Sequence, residues 1–325
     1  MVLDQAGKVL PILSALLFGS SVCMACPVFA DRFEASLADP LSFLSDEFDD
    51  AASLGDWQRV WSLEGWPGDQ LEEFSIGGGE LTMLPHTSAW FEDLRGVLAF
   101  KPVTGDFIVS TRFTASNRAE SGAPNRLYSL AGLFVRGPRP ITDPSQWTPG
   151  GENYVFLSAG SADQPGTFQY EVKTTENSLS TLTILDACGG ACPSAPVFEL
   201  LAARLEGEHF VLLRREPGSD QWQVHQRYRR SDLPETLQVG LTTYTDWNSI
   251  NGPYWPSNQF AHNNTVITDG QPDLLARFQH VRFRSPRIPA ELQGRDYSAD
   301  YDPGDPSTVS DADLLCLLTG QSTGD

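Results

Sequence analysis

Between positions 244 and 264 the chain reads YTDWNSINGPYWPSNQFAHNN, setting Tyr244, Trp247, Tyr254 and Trp255 among Asp246, Asn248, Asn251 and Asn258. Aromatic rings stack on the C–H faces of sugar rings while Asn and Asp take the hydroxyls, so a loop of this composition points to carbohydrate. The same residues fit a structural alternative, in which Tyr244 closes a strand and the tryptophans cover the open end of a β-domain. Trp90 and Arg136 lie at strand ends and are further candidates for ligand contact. For them the alternative is a core Trp and a surface Arg paired with a carboxylate.

Glycosidic hydrolysis needs two carboxylates flanking the scissile bond. Glu92 and Asp93 are adjacent, so on a strand they would point to opposite faces. Glu171 is alone in its strand and Glu176 sits beyond its end. His86, His209, His225, His262 and His280 are scattered without metal-ligand spacing, and no Gly-x-Ser-x-Gly elbow or phosphate loop occurs. The leading reading is therefore a non-catalytic binding protein. A glycoside hydrolase or polysaccharide lyase using Glu92, Asp93 or Glu152 is the alternative, and a structural or scaffold-associated extracellular module is a third.

The acidic C-terminal stretch has two readings. Asp300-Tyr-Asp302-Pro-Gly-Asp305, running into a capped helix, resembles half of a dockerin calcium-loop motif. That resemblance implies structural calcium on Asp300, Asp302, Asp305 and Asp313, although the loop is two residues too long and no second repeat follows. Read locally, Ser310 is an N-cap, Asp313 completes a capping box, and Val309 staples onto Leu314. Leu314, Leu315, Leu317 and Leu318 then line one side of a helix of about ten residues, which would dock on the rest of the chain or on a protein partner. The run Asp46–Asp50 similarly fits either a calcium site near the first strand or solvated charge.

The 325 residues carry 42 acidic and 22 basic side chains, a formal charge of −20. Such a field disfavours nucleic acid, whose binding rests on clustered Lys and Arg. Lys8 precedes the apolar run VLPILSALLF, and small or compact residues lead to Ala30. This reads as a signal peptide over 1–30 and a secreted protein, extracellular or periplasmic, with a buried N-terminal helix as the alternative. No later apolar run approaches the ~18 residues of a membrane span. Beyond the signal, Cys188-Gly-Gly-Ala-Cys192 forms a tight loop that favours a local disulfide in an oxidising compartment. Zinc would need further ligands nearby, and the spacing is not that of a thioredoxin-like pair.

The elements that must position these residues are short β-runs separated by turn signals, the pattern of a sandwich or barrel. Phe107, Val109, Thr111 and Phe113 alternate with Ile108, Ser110, Arg112 and Thr114, giving one buried and one wetter face. Further strands are predicted at 154–158, 168–174, 180–185, 198–205, 209–215, 222–228, 237–243 and 275–283. Long loops are predicted at 137–152 and 246–272.

In order, Asp46-Glu-Phe-Asp-Asp50, Trp57, the Gly77-Gly-Gly-Glu-Leu-Thr82 turn, the stretch from Trp90 to Arg136 and the paired strands before Trp222 resemble one domain family. It is the regulation-of-enolase-like family of the concanavalin A-like lectin/glucanase superfamily. The resemblance implies an all-β antiparallel sandwich, a concanavalin A-like jelly roll, over 46–285. A linker at 31–45 precedes it, a second at 286–295 follows, and 296–325 forms the degenerate dockerin-like loop and helix.

Overall fold

In the computed structural model, which describes residues 39–321, Phe107, Val109, Thr111 and Phe113 become the inward face of a ten-residue strand. The expected signal peptide lies outside the described residues. In chain order the strands are β1 (Gln58–Arg59), β2 (Leu71–Gly77), β3 (Glu80–Pro85), β4 (Val97–Thr104), β5 (Phe107–Ser116), β6 (Ser129–Arg136) and β7 (Tyr154–Ser161). They continue as β8 (Gln169–Glu176), β9 (Leu179–Asp186), β10 (Phe198–Leu205), β11 (His209–Arg215), β12 (Trp222–Arg229), β13 (Thr236–Tyr244) and β14 (Leu275–Arg284). Helices are short: α1 (Val60–Leu63), α2 (Gln259–Asn263) and α3 (Asp311–Thr319).

Two seven-stranded sheets result, and every neighbouring pair is antiparallel. Sheet I runs β1-β4-β13-β6-β7-β8-β9 and sheet II runs β12-β11-β10-β5-β14-β3-β2. This is the expected all-β sandwich. Leu133, Val135, Val155, Leu157, Val172 and Leu241 of sheet I pack on Phe107, Val109, Phe113, Leu200, Phe210 and Phe278 of sheet II. Each such fully buried side chain contributes about 1.5–3 kcal/mol of burial free energy.

Both outer faces are covered as well. Ile108, expected on the wetter side of its strand, is buried with Leu201, Val211 and Leu213 beneath the C-terminal segment. There Leu292, Tyr297, Val309, Leu314 and Leu318 close over sheet II, so residues 286–321 are a cover on the sandwich. The local capping reading of α3 holds. Ser310 Oγ accepts the Asp313 N–H at 3.1 Å and donates to Asp313 Oδ2 at 2.7 Å, while Val309 and Leu314 share one cluster. Because the leucine side of α3 is occupied by sheet II, a protein partner at this helix would meet its polar side.

Residues 39–45, expected as linker, also dock. Leu44 enters the inter-sheet core, and the Asp39 carboxylate accepts from Ser285 N at 2.9 Å. Cys188 and Cys192 form the expected disulfide, which fits an oxidising compartment. Among the described residues no helix is long and apolar enough to cross a membrane.

Candidate functional site

The outer face of sheet I, where β4, β13, β6 and β7 lie side by side, is filled by the chain itself. Its upward-pointing residues Leu98, Phe100, Phe134, Tyr154, Phe156 and Tyr244 are buried under Val60, Trp61, Trp66, Trp90 and Ile141. The Trp90 ring lies 4.4 Å from that of Phe134 and 5.5 Å from that of Tyr154. Its Nε1 donates to Val97 O at 3.1 Å and to Thr242 Oγ1 at 3.0 Å. Gly96 permits this fit, because a Cβ there would stand 2.7 Å from Trp90 Cδ1. Trp61 is anchored by a bond from Nε1 to Gly96 O.

Beside this aromatic layer sits a closed ring of charge. Arg136 Nε donates to Glu152 Oε2 at 2.8 Å, and its Nη1 lies 2.9 Å from Glu64 Oε1. Arg95 bridges the same two carboxylates, pairing with Glu64 and meeting Glu152 Oε1 at 2.7 Å. All four side chains are fully shielded from water. Arg139, on the long loop, adds a contact to Glu152 Oε1 at 3.3 Å. Burial pushes the Glu152 carboxyl up, but Arg136 and then Arg95 outweigh it and hold the group well below the usual carboxylate range. The ring therefore fastens α1, β4, β6 and the 137–152 loop to one another.

Nearer the loop end, Glu171 and Lys173 share one face of β8. Their side chains meet at 2.8 Å, Tyr244 donates to Glu171 Oε2 at 2.9 Å, and Lys173 Nζ donates to Trp90 O at 2.6 Å. Burial pulls the Lys173 ammonium down from its ordinary value, and Glu171 opposes that pull.

Above this end the loops build an aromatic shelf. Phe91, Trp247, Tyr254 and Trp255 pack around Ala89, Leu94 and Ile250. Phe91 stands edge-on to both tryptophans, at 5.6 Å from Trp247 and 5.7 Å from Trp255. Trp255 Nε1 donates to Glu92 Oε2 at 2.9 Å, and the Gln259 amide donates to the same oxygen at 3.2 Å. All four aromatic side chains keep partial exposure, and Asn248 and Asn251 are open to water beside them. Glu92 (φ 53°), Tyr128 (φ 52°) and Asp246 (φ 69°) hold left-handed backbone around the shelf, a conformation non-glycine residues adopt only where the surroundings enforce it. Asp246 shows the enforcement: its Oδ2 accepts from Thr87 Oγ1 at 2.9 Å and Gln271 N at 2.6 Å, tying the base of the loop.

The expected ligand-contacting residues thus separate into two groups. Trp247, Tyr254 and Trp255 come together at the surface, joined by Phe91, which the sequence did not single out. Trp90, Arg136, Tyr244 and Asp246 are closed off from solvent and cannot touch a ligand in this conformation. The alternative reading of Trp90 as a core residue fits its place. Arg136 is paired with carboxylates as that reading supposed, but in the interior.

The carboxylates considered for catalysis are likewise engaged. Glu152 is ringed by guanidinium groups, and Asp93 accepts from Gly150 N at 3.0 Å and Ser178 Oγ at 2.5 Å. Glu92 and Asp93 lie in a tight turn between Phe91 and Leu94 and not on a strand, so the opposite-faces reasoning does not apply to them. Glu64, Arg95, Lys173, Trp61 and Trp66 carried no expectation, and Glu171, expected as a lone carboxylate, is paired with Lys173. One available signal was Glu171 and Lys173 at i and i+2, which share a face on any strand.

The acidic tail does not fit calcium. Asp302 Oδ1 accepts from Gly304 N at 2.8 Å, Asp305 Oδ1 from Ser307 N at 2.9 Å, and Asp313 caps α3, so each carboxylate closes its own turn. Asp300 is exposed and apart from Asp313 along the segment. Calcium wants six to eight oxygens, and among the described residues no three His, Cys, Asp or Glu side chains converge. Near the first strand, Asp46 accepts from Phe48 N and Trp57 Nε1, both at 2.9 Å, which uses its two oxygens structurally.

His262 supports the shelf from behind, fully buried with its ring 5.7 Å from that of Tyr254. Burial pulls its pKa down to about 4, while the bond with Asn263 works the other way. As pH falls below the ordinary value of 6.5 the unfolded chain takes this proton first, so stability is full above that point and declines toward pH 4. The expected loss from this one group is about 3 kcal/mol across the window. Urea midpoints measured at intervals from pH 7 to pH 4.5 should fall, and His262→Gln should remove part of that fall, because burial pulls His225 and His280 down to about 4 as well.

No protein-family model matches the chain, and no curated protein matches it. Solved structures of similar layout include the CBM2 module of the Lactobacillus casei BL23 phage J-1 evolved Dit, at 7% identity and TM-score 0.42, covering 75% of this chain and 95% of that one. Basic winged bean lectin is similar at 12% identity and TM-score 0.39, covering 70% and 96%. Porphyranase B from Zobellia galactanivorans is similar at 11% identity and TM-score 0.39, covering 74% and 91%. At these values the likeness is one of strand layout, and no site residue is assigned from it.

Proposed function

We propose that the protein is a secreted, non-catalytic carbohydrate-binding module that takes a neutral sugar on the Phe91, Trp247, Tyr254 and Trp255 shelf. One observation carries the reading: the sheet face is packed shut, while an aromatic cluster stays part-exposed on loops beside it. Stacked rings supply the flat apolar contact for a sugar's C–H face, and Asn248, Asn251 and the Gln259 amide supply hydroxyl partners at its rim. The Glu92 carboxylate and the charge of −20 repel uronate and sulfate polymers, which leaves uncharged glycans.

The test is a polysaccharide panel holding xylan, laminarin and galactan beside alginate, followed by calorimetric titration of any glycan bound. Trp247→Ala and Trp255→Ala should each weaken that binding about tenfold or more, as removal of a central aromatic anchor does. Far-UV circular dichroism should be unchanged. Failure of every glycan in calcium-containing buffer, or unaltered affinity in both variants, would overturn the reading.

A further inference from the structure

We infer that the free edge of β9 is the interface of a two-fold homodimer. The four edges of the sandwich are treated differently. The far edge of sheet I is shielded by β1 and α1 packing on β4. On sheet II, β2 carries exposed Glu72 and Glu73 and a register break between Leu71 and Glu73. The pairing of β12 is also broken, at Leu212/Leu213, and the strand carries Arg227 and Arg229, with Arg227 tied to the C-terminal segment through Val309 O. Breaks, charges and covers of this kind prevent strand addition.

β9 has no break in its pairing, and its one charge, Asp186, stands at its very end. It pairs with β8 in unbroken register over eight residues, and LSTLTIL holds no charge, glycine or proline before Asp186. The side that elsewhere meets the opposite sheet is left open here, with Leu179 77% and Leu185 42% exposed.

The segment is also complementary to itself. An antiparallel pairing centred on Leu182 sets Leu179 opposite Leu185 and Thr181 opposite Thr183 on one face. On the other it sets Ser180 opposite Ile184 and Leu182 opposite its own copy. Aliphatic and Thr–Thr pairs across strands are favourable, and Asp186 falls opposite Ser178, so no like charges face one another. A two-fold axis consumes both free edges at once, giving a closed dimer and not a growing sheet. The occupant is therefore a second copy of this chain. Net negative charge on each copy opposes the approach, so salt should strengthen the pair.

Sedimentation equilibrium of the mature protein over a concentration series reads the outcome. Twice the mass of one chain is expected, with the dissociation constant tightening several-fold from low to high salt. Thr181→Lys with Thr183→Lys, both at exposed positions, sets lysines against each other across the axis and should give monomer with an unchanged far-UV circular dichroism spectrum. Leu182→Cys places one thiol on the axis, and air oxidation should link two chains through it. A wild-type monomer at every concentration, a dimer that survives the lysine pair, or a dimer that fails to cross-link at position 182 would each overturn the inference. The glycan titration is a separate readout, so either idea can fail alone.

Discussion

Replacement of Glu152 by Gln is expected to lower stability by about 3–5 kcal/mol, since it leaves the buried Arg95 and Arg136 guanidinium groups to share the single carboxylate of Glu64. At this chain length that corresponds to a fall in melting temperature of roughly 5–8 °C. The reason is geometric. Glu152 answers Arg95, Arg136 and Arg139 at distances between 2.7 and 3.3 Å, and among the described residues Glu64 is the other carboxylate paired with Arg95 and Arg136. The neutral amide keeps the shape and removes the charge. The wild-type contribution has a definite pH dependence, because the folded carboxyl is held below its ordinary value of 4.5. It is fully present above that value and is lost as pH falls through the folded-state pKa. Calorimetric melting of wild type and Glu152→Gln at pH 7 reads the effect directly. A change of only a degree or two would show that the ring does not hold the 137–152 loop down.

Trp90→Ala is expected to have an effect of similar size, about 3–5 kcal/mol, with a cavity as its cause. Trp90 is 1% exposed and fills the space between Phe134, Tyr154 and the bare Cα of Gly96. Removing it also takes the indole donor away from Val97 O and Thr242 Oγ1. Glycan affinity per folded molecule should stay as in wild type, whereas Trp255→Ala should lose affinity with little change in stability. Titration at a temperature well below both melting points separates the two. Equal loss of affinity in Trp90→Ala would place the ligand on the sheet face.

The strands were legible because their signals are local: the alternation in β5 and the capping box of α3 each lie within a few residues. What covers Trp90 and Arg136 was not, because it comes from distant segments. Glu64 lies 31 positions before Arg95, and the 137–152 loop folds back over β6 only in three dimensions. A usable clue existed in β6 and β7, whose sequences SLAGLFVR and YVFLSAGS are buried at every position. A strand without a polar face is covered on both sides. That pattern argues against an open binding face on sheet I, and with it against Trp90 and Tyr244 as ligand contacts. Glu92 escaped for another reason: its left-handed backbone makes a turn that strand periodicity cannot anticipate.

The most direct measurement follows the indole N–H signals of the tryptophans in a nitrogen-15 correlation spectrum during titration with the glycan retained from the panel. Binding on the loop shelf requires the Trp247 and Trp255 signals to move in a saturable way while those of Trp61 and Trp90 stay in place. Movement of the Trp61 and Trp90 signals with Trp247 and Trp255 unchanged would contradict it.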